Sequence, residues 1–144
     1  MKAIGLVPEL LVSDIKKSLA FYMDLLGFKI LVGSAEEHYV HLIRVNAEIM
    51  LEQIGGKWHN WVTKDLEYPL GRGLNLRIEV ENANLILEIL NKNDMPIFIP
   101  VEEKWYRHGE AEHGNRQFGV MDPDGYLLRI YQDLGVRNAN WLKL

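Results

Sequence analysis

The sequence predicts an α+β fold built from two tandem βαβββ modules, and three observations predict it. A strand–helix–strand–strand–strand order reads twice, over about residues 4–54 and again over about 74–133. Matched residues recur at near-constant spacing: Leu10 with Ile78 and Val12 with Val80 are 68 positions apart, Glu52 and Arg129 are 77 apart. Each copy also carries the turn and cap residues that such an order needs. The other reading of this pattern is a generic α+β sandwich whose halves look alike by chance.

The first copy opens with an apolar stretch from Ile4 to Val12. Ser13 or Asp14 can cap the helix that follows, a side-chain oxygen accepting from a free backbone N–H. That helix is expected over 15–26, with Ile15, Leu19, Tyr22 and Leu26 in one apolar stripe. Gly27 ends it, because glycine tolerates the left-handed conformation after a helix. Strands are expected over 28–32, 38–45 and 48–54, with a tight turn at Asn46-Ala47. In the second copy a strand over 74–80 precedes a helix over 83–93, led by Glu81-Asn82. Strands over 97–101, 117–121 and 126–132 complete it. The last two are joined by Asp122-Pro123-Asp124-Gly125, where proline fixes φ and glycine supplies a positive φ. A long loop is expected around Trp105 to Gly114, a linking loop over about 55–73 and a tail over 134–144.

Composition narrows the function. A net charge of −4 and a pI near 5.7 give no basic footprint, so nucleic acid is not an expected partner. The chain has no cysteine, which removes disulfides, thiolate metal ligands and cysteine nucleophiles. Pro8, Glu9 and Asp14 interrupt the first apolar run, so no signal-peptide core is expected there. No segment approaches the roughly 18 apolar residues of a membrane span, so the expected location is the cytoplasm.

The run Val7-Pro8-Glu9-Leu10-Leu11-Val12-Ser13-Asp14, followed by Ser18, Phe21-Tyr22 and Leu25-Leu26-Gly27-Phe28, resembles the opening of the glyoxalase/bleomycin-resistance/dioxygenase (vicinal oxygen chelate) superfamily. The closing run Phe118-Gly119-Val120-Met121-Asp122-Pro123-Asp124-Gly125-Tyr126 resembles its other hallmark. The resemblance covers about residues 4–133. It implies one domain over 1–144 in which curved mixed sheets surround a cleft, helices lie on the outer face, and two chains form a homodimer. It also implies one of two chemistries, a divalent metal in the cleft or a metal-free binder of the bleomycin-resistance kind.

In metal-dependent relatives the implied ligands are His or Glu on four strands, near the start and end of each module. The two motifs align Val7, Glu52, Asn75 and Arg129 with those places. Only Glu52 is a good ligand. Val7 has no donor atom, Asn75 offers a neutral carbonyl, and the Arg129 guanidinium is a permanent cation that repels a dication at close range. No metal, cofactor or catalytic residue is therefore expected. Glu9, two residues beyond Val7, faces the same side.

Strand alternation sends Leu76, Ile78, Leu128, Ile130, Ile49 and Leu51 toward the helices. It sends Glu9, Glu52, Arg77, Arg129 and Tyr131 to the cleft, with Tyr39 and Phe118 as further aromatics. His41, aligned with Phe118, is either a ligand contact or a packed, hydrogen-bonded histidine. Glu52 and Arg129 either pair with each other or meet a ligand. Trp58 and Trp61 in the linking loop suit a flap over a planar ligand or a dimer contact. Trp105 and Tyr106, in the second loop, suit ligand stacking or anchoring of that loop. The leading expectation is sequestration of a planar or partly cationic small molecule, with bleomycin-type antibiotics as the implied example. The alternatives are a metal-dependent lyase or dioxygenase with displaced ligands, and metal-free acid/base chemistry at Glu52 or Glu9.

Overall fold

A computed structural model describes residues 4–56 and 61–139. Two four-stranded mixed sheets carry the two modules. In the first, β1 (Glu9–Val12) lies parallel to β4 (Ala47–Gln53), then β3 (Tyr39–Arg44) and β2 (Lys29–Ser34) follow antiparallel. In the second, β5 (Asn75–Glu79) lies parallel to β8 (Leu127–Asn138), followed by β7 (Ala111–Met121) and β6 (Ile97–His108). The βαβββ order read from the sequence is therefore present in both halves.

The chain divides into two compact units. One holds the first sheet, its helix and the segment to Arg72, together with the turn Asp122–Tyr126. The other holds the remainder of the second module, from Gly73.

In the first unit Asp14 caps helix α1 (Ile15–Leu19), accepting from the backbone N–H of Lys16 at 3.0 Å. Instead of continuing as an α-helix to Leu26, the chain widens into a π-type segment over Ala20–Leu25. There the N–H of Leu26 reaches back five residues to the carbonyl of Phe21. This extra residue rotates the buried stripe, so Ile15, Ser18, Phe21, Tyr22 and Leu26 face inward while Leu19 is half-buried. Gly27 follows with φ of +81°, as the capping argument required. The helix packs on a sheet face of Leu10, Val12, Val40, Leu42, Ile49 and Leu51, all buried.

Asp122 fastens the turn into that unit. Its carboxylate accepts the Tyr22 hydroxyl at 2.7 Å and the N–H groups of Asp124 and Tyr126 at 2.9 Å each. The Tyr126 hydroxyl donates to the Leu11 carbonyl at 2.8 Å, and Asp124 accepts the Ser13 N–H at 3.2 Å. Burial pushes the Asp122 carboxyl above its ordinary value despite these donors, and raises Tyr126 to about 12.

In the second unit Asn82 caps α2 (Ala83–Lys92) and accepts from the Leu85 N–H at 3.1 Å. Ala83, Ile86 and Leu90 pack toward Ile78, Phe118, Val120, Leu128 and Ile130. Two expectations fail here. Residues 102–116 form no long loop: β6 and β7 run as an extended hairpin around Gly109-Glu110, and β8 continues beside them to Asn138. Phe118 does not face the open side of its sheet. It pairs with Ile130, shares that residue's buried face and is 1% exposed. No helix among the described residues is long and apolar enough to cross a membrane.

Candidate ligand-binding site

Each sheet has one face packed on its helix and one open face, and the site residues expected from alternation sit on the open faces. On the first sheet the register sets Glu9 beside Met50, Leu11 beside Glu52, Tyr39 beside Glu52 and His41 beside Met50. Glu9, Tyr39, His41, Met50 and Glu52 therefore share that face, with Glu48 beyond them.

The Glu9 carboxyl hydrogen-bonds to that of Glu52. Burial first, then the hydrogen bond and the like charge of Glu52, raise Glu9 from 4.5 to about 7. The same two carboxyls, after burial, push the Tyr39 hydroxyl upward. That hydroxyl donates to the Met50 sulfur at 3.1 Å. His41 Nε2 lies 2.8 Å from Glu48 Oε1, at an angle that makes no hydrogen bond. Their contact is thus an ion pair when the imidazole is protonated.

On the second sheet the register sets Arg77 beside Arg129, Glu79 beside Tyr131, and Gln117 beside Tyr131. A cavity of about 390 Å³ is lined by Arg77, Tyr106, Arg129 and Tyr131, with His113, Gly114, Asn115 and Gln117. The structure thus gathers four of the expected ligand contacts in one pocket. The Arg77 guanidinium sits 4.3 Å from the Tyr131 ring centroid, a cation–π contact. Arg129 Nε donates to Asn75 Oδ1 at 2.7 Å.

Trp105 does not join Tyr106. Because the segment is a strand, neighbouring side chains point to opposite faces. Tyr106 lines the pocket, while Trp105 lies over Gly114 on the other side, where an added Cβ would sit 2.6 Å from its ring. There Arg137 stacks 3.9 Å from the Trp105 ring and binds Glu112 at 2.7 Å, while Arg116 binds Glu103 at 2.9 Å. Trp105 is a strut of the hairpin. Trp61 is 83% exposed, and Trp58 lies outside the described residues. Asn115 and Gln117 are pocket residues that the sequence reading missed. Their signal was the alternation of Glu102, Lys104 and Tyr106 against Glu103 and Trp105, obscured because both sets are polar or aromatic.

The two sheets also correct the alignment of the halves. Gln53 Oε1 accepts the N–H of Ile15 at 3.0 Å, and Gln132 Oε1 accepts that of Ala83 at 2.9 Å. These glutamines hold equivalent helix starts, so β4 and β8 are related by 79 positions, two more than expected. The strand pairings agree: Glu9 beside Met50 corresponds to Arg77 beside Arg129, and Leu11 beside Glu52 to Glu79 beside Tyr131. The counterpart of Arg129 is therefore Met50, and that of Glu52 is Tyr131. His41 corresponds to Gly119, not Phe118.

This bears on a metal. The four equivalent positions become Val7, Met50, Asn75 and Arg129, an alkyl group, a thioether, an amide and a guanidinium. The Asn75 oxygen is already taken by Arg129. Neither pair, Val7 with Met50 on the first sheet nor Asn75 with Arg129 on the second, offers the oxygen and imidazole ligands that a divalent ion takes. Among the described residues no group of three His, Asp or Glu side chains is placed to hold one.

The model of the family described as Glyoxalase/Bleomycin resistance protein/Dioxygenase superfamily matches residues 6–130. Bleomycin resistance proteins of Geobacillus stearothermophilus and Staphylococcus aureus are each 28% identical over 142 residues, spanning 89% of this chain and 96% of theirs. Among solved structures, a virulence protein of Salmonella typhimurium aligns with a TM-score of 0.66 at 21% identity, covering 92% of this chain and 98% of that one. TioX from Micromonospora sp. ML1 gives 0.66 at 16% identity, covering 90% and 95%. At these identities the likeness to solved structures shows the fold.

Proposed function

The chain belongs to the glyoxalase/bleomycin resistance protein/dioxygenase superfamily, and from that premise we propose that it is a metal-free small-molecule-binding protein that sequesters its ligand, as a bleomycin resistance protein would. Two observations carry this reading: the positions implied for metal ligands hold Val7 and Met50 on the first sheet and Asn75 and Arg129 on the second, and Arg129 lines a pocket with Tyr106 and Tyr131. Two aromatic walls among polar groups that can fix orientation suit the capture of a flat organic molecule. The relatives named bleomycin resistance proteins support the same ligand type.

The working form is a cytoplasmic homodimer. Edge strands β2 and β6 support this, since Ile30 and Val32 on one and Phe98 and Val101 on the other are exposed apolar residues. Light scattering on purified protein reports the oligomer directly.

The test is titration of the purified, chelator-treated protein with metal-free bleomycin, followed by tryptophan fluorescence and calorimetry. Saturable binding that survives chelation is expected, and Tyr106→Ala weakens it by about tenfold, within the range for removing one aromatic contact. One tightly held divalent metal per chain, required for binding, would overturn the reading.

A second reading has one observation in its favour. Glu9, held near 7 beside Glu52, is poised to exchange a proton at neutral pH. Turnover of a carbonyl or epoxide substrate, abolished in Glu9→Gln, would establish it.

A further inference from the structure

We infer that the pocket on the second sheet selects a ligand bearing an anionic oxygen group, carboxylate or phosphate, on a planar ring. This rests on the proposed small-molecule site and names the chemistry it accepts. The argument begins with two guanidiniums. Arg77 and Arg129 sit side by side on adjacent parallel strands, so their side chains rise from the same face. Both line the cavity.

Neither is neutralised. Arg77 contacts the face of Tyr131, and Arg129 donates to a neutral amide oxygen. Among the described residues no carboxylate stands within ion-pair distance of either. The carboxylates on that face are engaged elsewhere: Glu102 accepts from Gln117 Nε2 at 3.1 Å and lies 3.4 Å from Lys104 Nζ, and Glu79 has an interaction of its own.

Two adjacent fixed cations without counter-charges repel each other, and an anion between them removes that repulsion. A guanidinium offers paired donors matched to carboxylate and phosphate oxygens. Asn115 adds a second observation. Its Oδ1 is buried at the pocket wall without a hydrogen-bond partner, and a buried polar atom normally has one. A ligand that carries a hydroxyl or N–H in addition to its anionic group would satisfy it. Tyr131, already stacked on Arg77, and Tyr106 supply the apolar walls for a ring.

The test uses 4-hydroxybenzoate, phenyl phosphate, 4-hydroxybenzamide and 4-hydroxybenzylamine against the full chain, with binding read by amide chemical-shift changes and calorimetry. At least one anion is expected to bind, with the amide and the amine each about tenfold weaker or more. Arg77→Gln and Arg129→Gln lower anion affinity by about tenfold each, and binding weakens as salt rises. Arg129→Lys, which keeps the charge and the fold, loses less than Arg129→Gln. Equal binding of amide and anion, no binding of either anion, or anion affinity unchanged in both glutamine variants would overturn the inference.

Bleomycin separates this inference from the sequestration reading. If bleomycin binds and the anions do not, the charge selection falls and sequestration stands. If the anions bind and bleomycin does not, the pocket chemistry stands and the resistance-type role falls.

Discussion

Leu51 on β4 and Ile130 on β8 occupy one place in two copies of the same unit. Each lies on the buried face, exposed by 0% and 1%, just before the glutamine that caps its helix start. The neighbouring positions on the open face have diverged in charge. The first sheet presents Glu9, Glu48 and Glu52 with Tyr39; the second presents Arg77 and Arg129 with Tyr131. A sheet's packed side is constrained by the volume between it and the helix. Its open side is constrained by whatever it meets. The duplicated fold has kept the former and let the latter diverge, to a run of carboxylates in one copy and to a paired-arginine pocket, with Glu79 and Glu102 at its margin, in the other.

Equivalence of the packed faces predicts equal penalties. Leu51→Ala and Ile130→Ala should each destabilise the protein by about 3 kcal/mol, since both delete a fully buried aliphatic side chain. Urea unfolding measures both. A difference of more than about 2 kcal/mol would break the equivalence and mark one core as able to close its cavity.

The hairpin turns sharpen the contrast. In the first copy the turn at Val45-Asn46 is exposed, whereas in the second Asp122 is buried and accepts three hydrogen bonds. Asp122→Ala strands those donors and should cost about 2 kcal/mol or more, while Asn46→Ala should fall within about 0.5 kcal/mol of zero. Thermal melts of the two variants suffice to compare them.

The smallest effect concerns the acidic face. Glu9 is raised in the fold from 4.5 to about 7, so the folded chain binds this proton more tightly than the unfolded one. Its stabilising contribution is complete below about 4.5 and is lost as pH rises through about 7. Wild type should therefore lose stability over that window relative to Glu9→Gln. Carboxyl NMR should also show the Glu9 titration moving down in Glu52→Gln. A Glu9 titration near 4.5 in the intact protein would remove its coupling to Glu52 and, with it, the difference in acid–base behaviour between the faces.

Much of this was legible in the chain because apolar alternation is a strong signal where one face is packed. The paired strands of both modules, the caps at Asp14 and Asn82, and the open-face placement of Glu9, Glu52, Arg77, Arg129 and Tyr131 all followed from it. The signal vanished where packing is not apolar. The far half of the β6–β7 hairpin is held by Arg137, Trp105, Glu103, Arg116 and Glu112, so it read as a polar loop, and Tyr106 and Trp105 were assigned to one surface. The alignment of the halves slipped by two residues because a two-residue slip preserves alternation. The glutamines Gln53 and Gln132, which hold the two helix starts, fix it together with the strand pairings. His41 was matched one residue out, against Phe118, and a one-residue error exchanges inside for outside.

Asp122–Tyr126 interrupts the second module in sequence yet belongs to the compact unit of the first. A polypeptide terminated in the linking segment would contain every strand of the first sheet but lack the carboxylate that accepts from Tyr22 and the phenol that donates to Leu11. Such a fragment is a lock without its bolt. Splitting the gene at its internal repeat would thus yield halves that must be co-expressed, and recombination between such repeats would have to carry the later turn along with the earlier sheet.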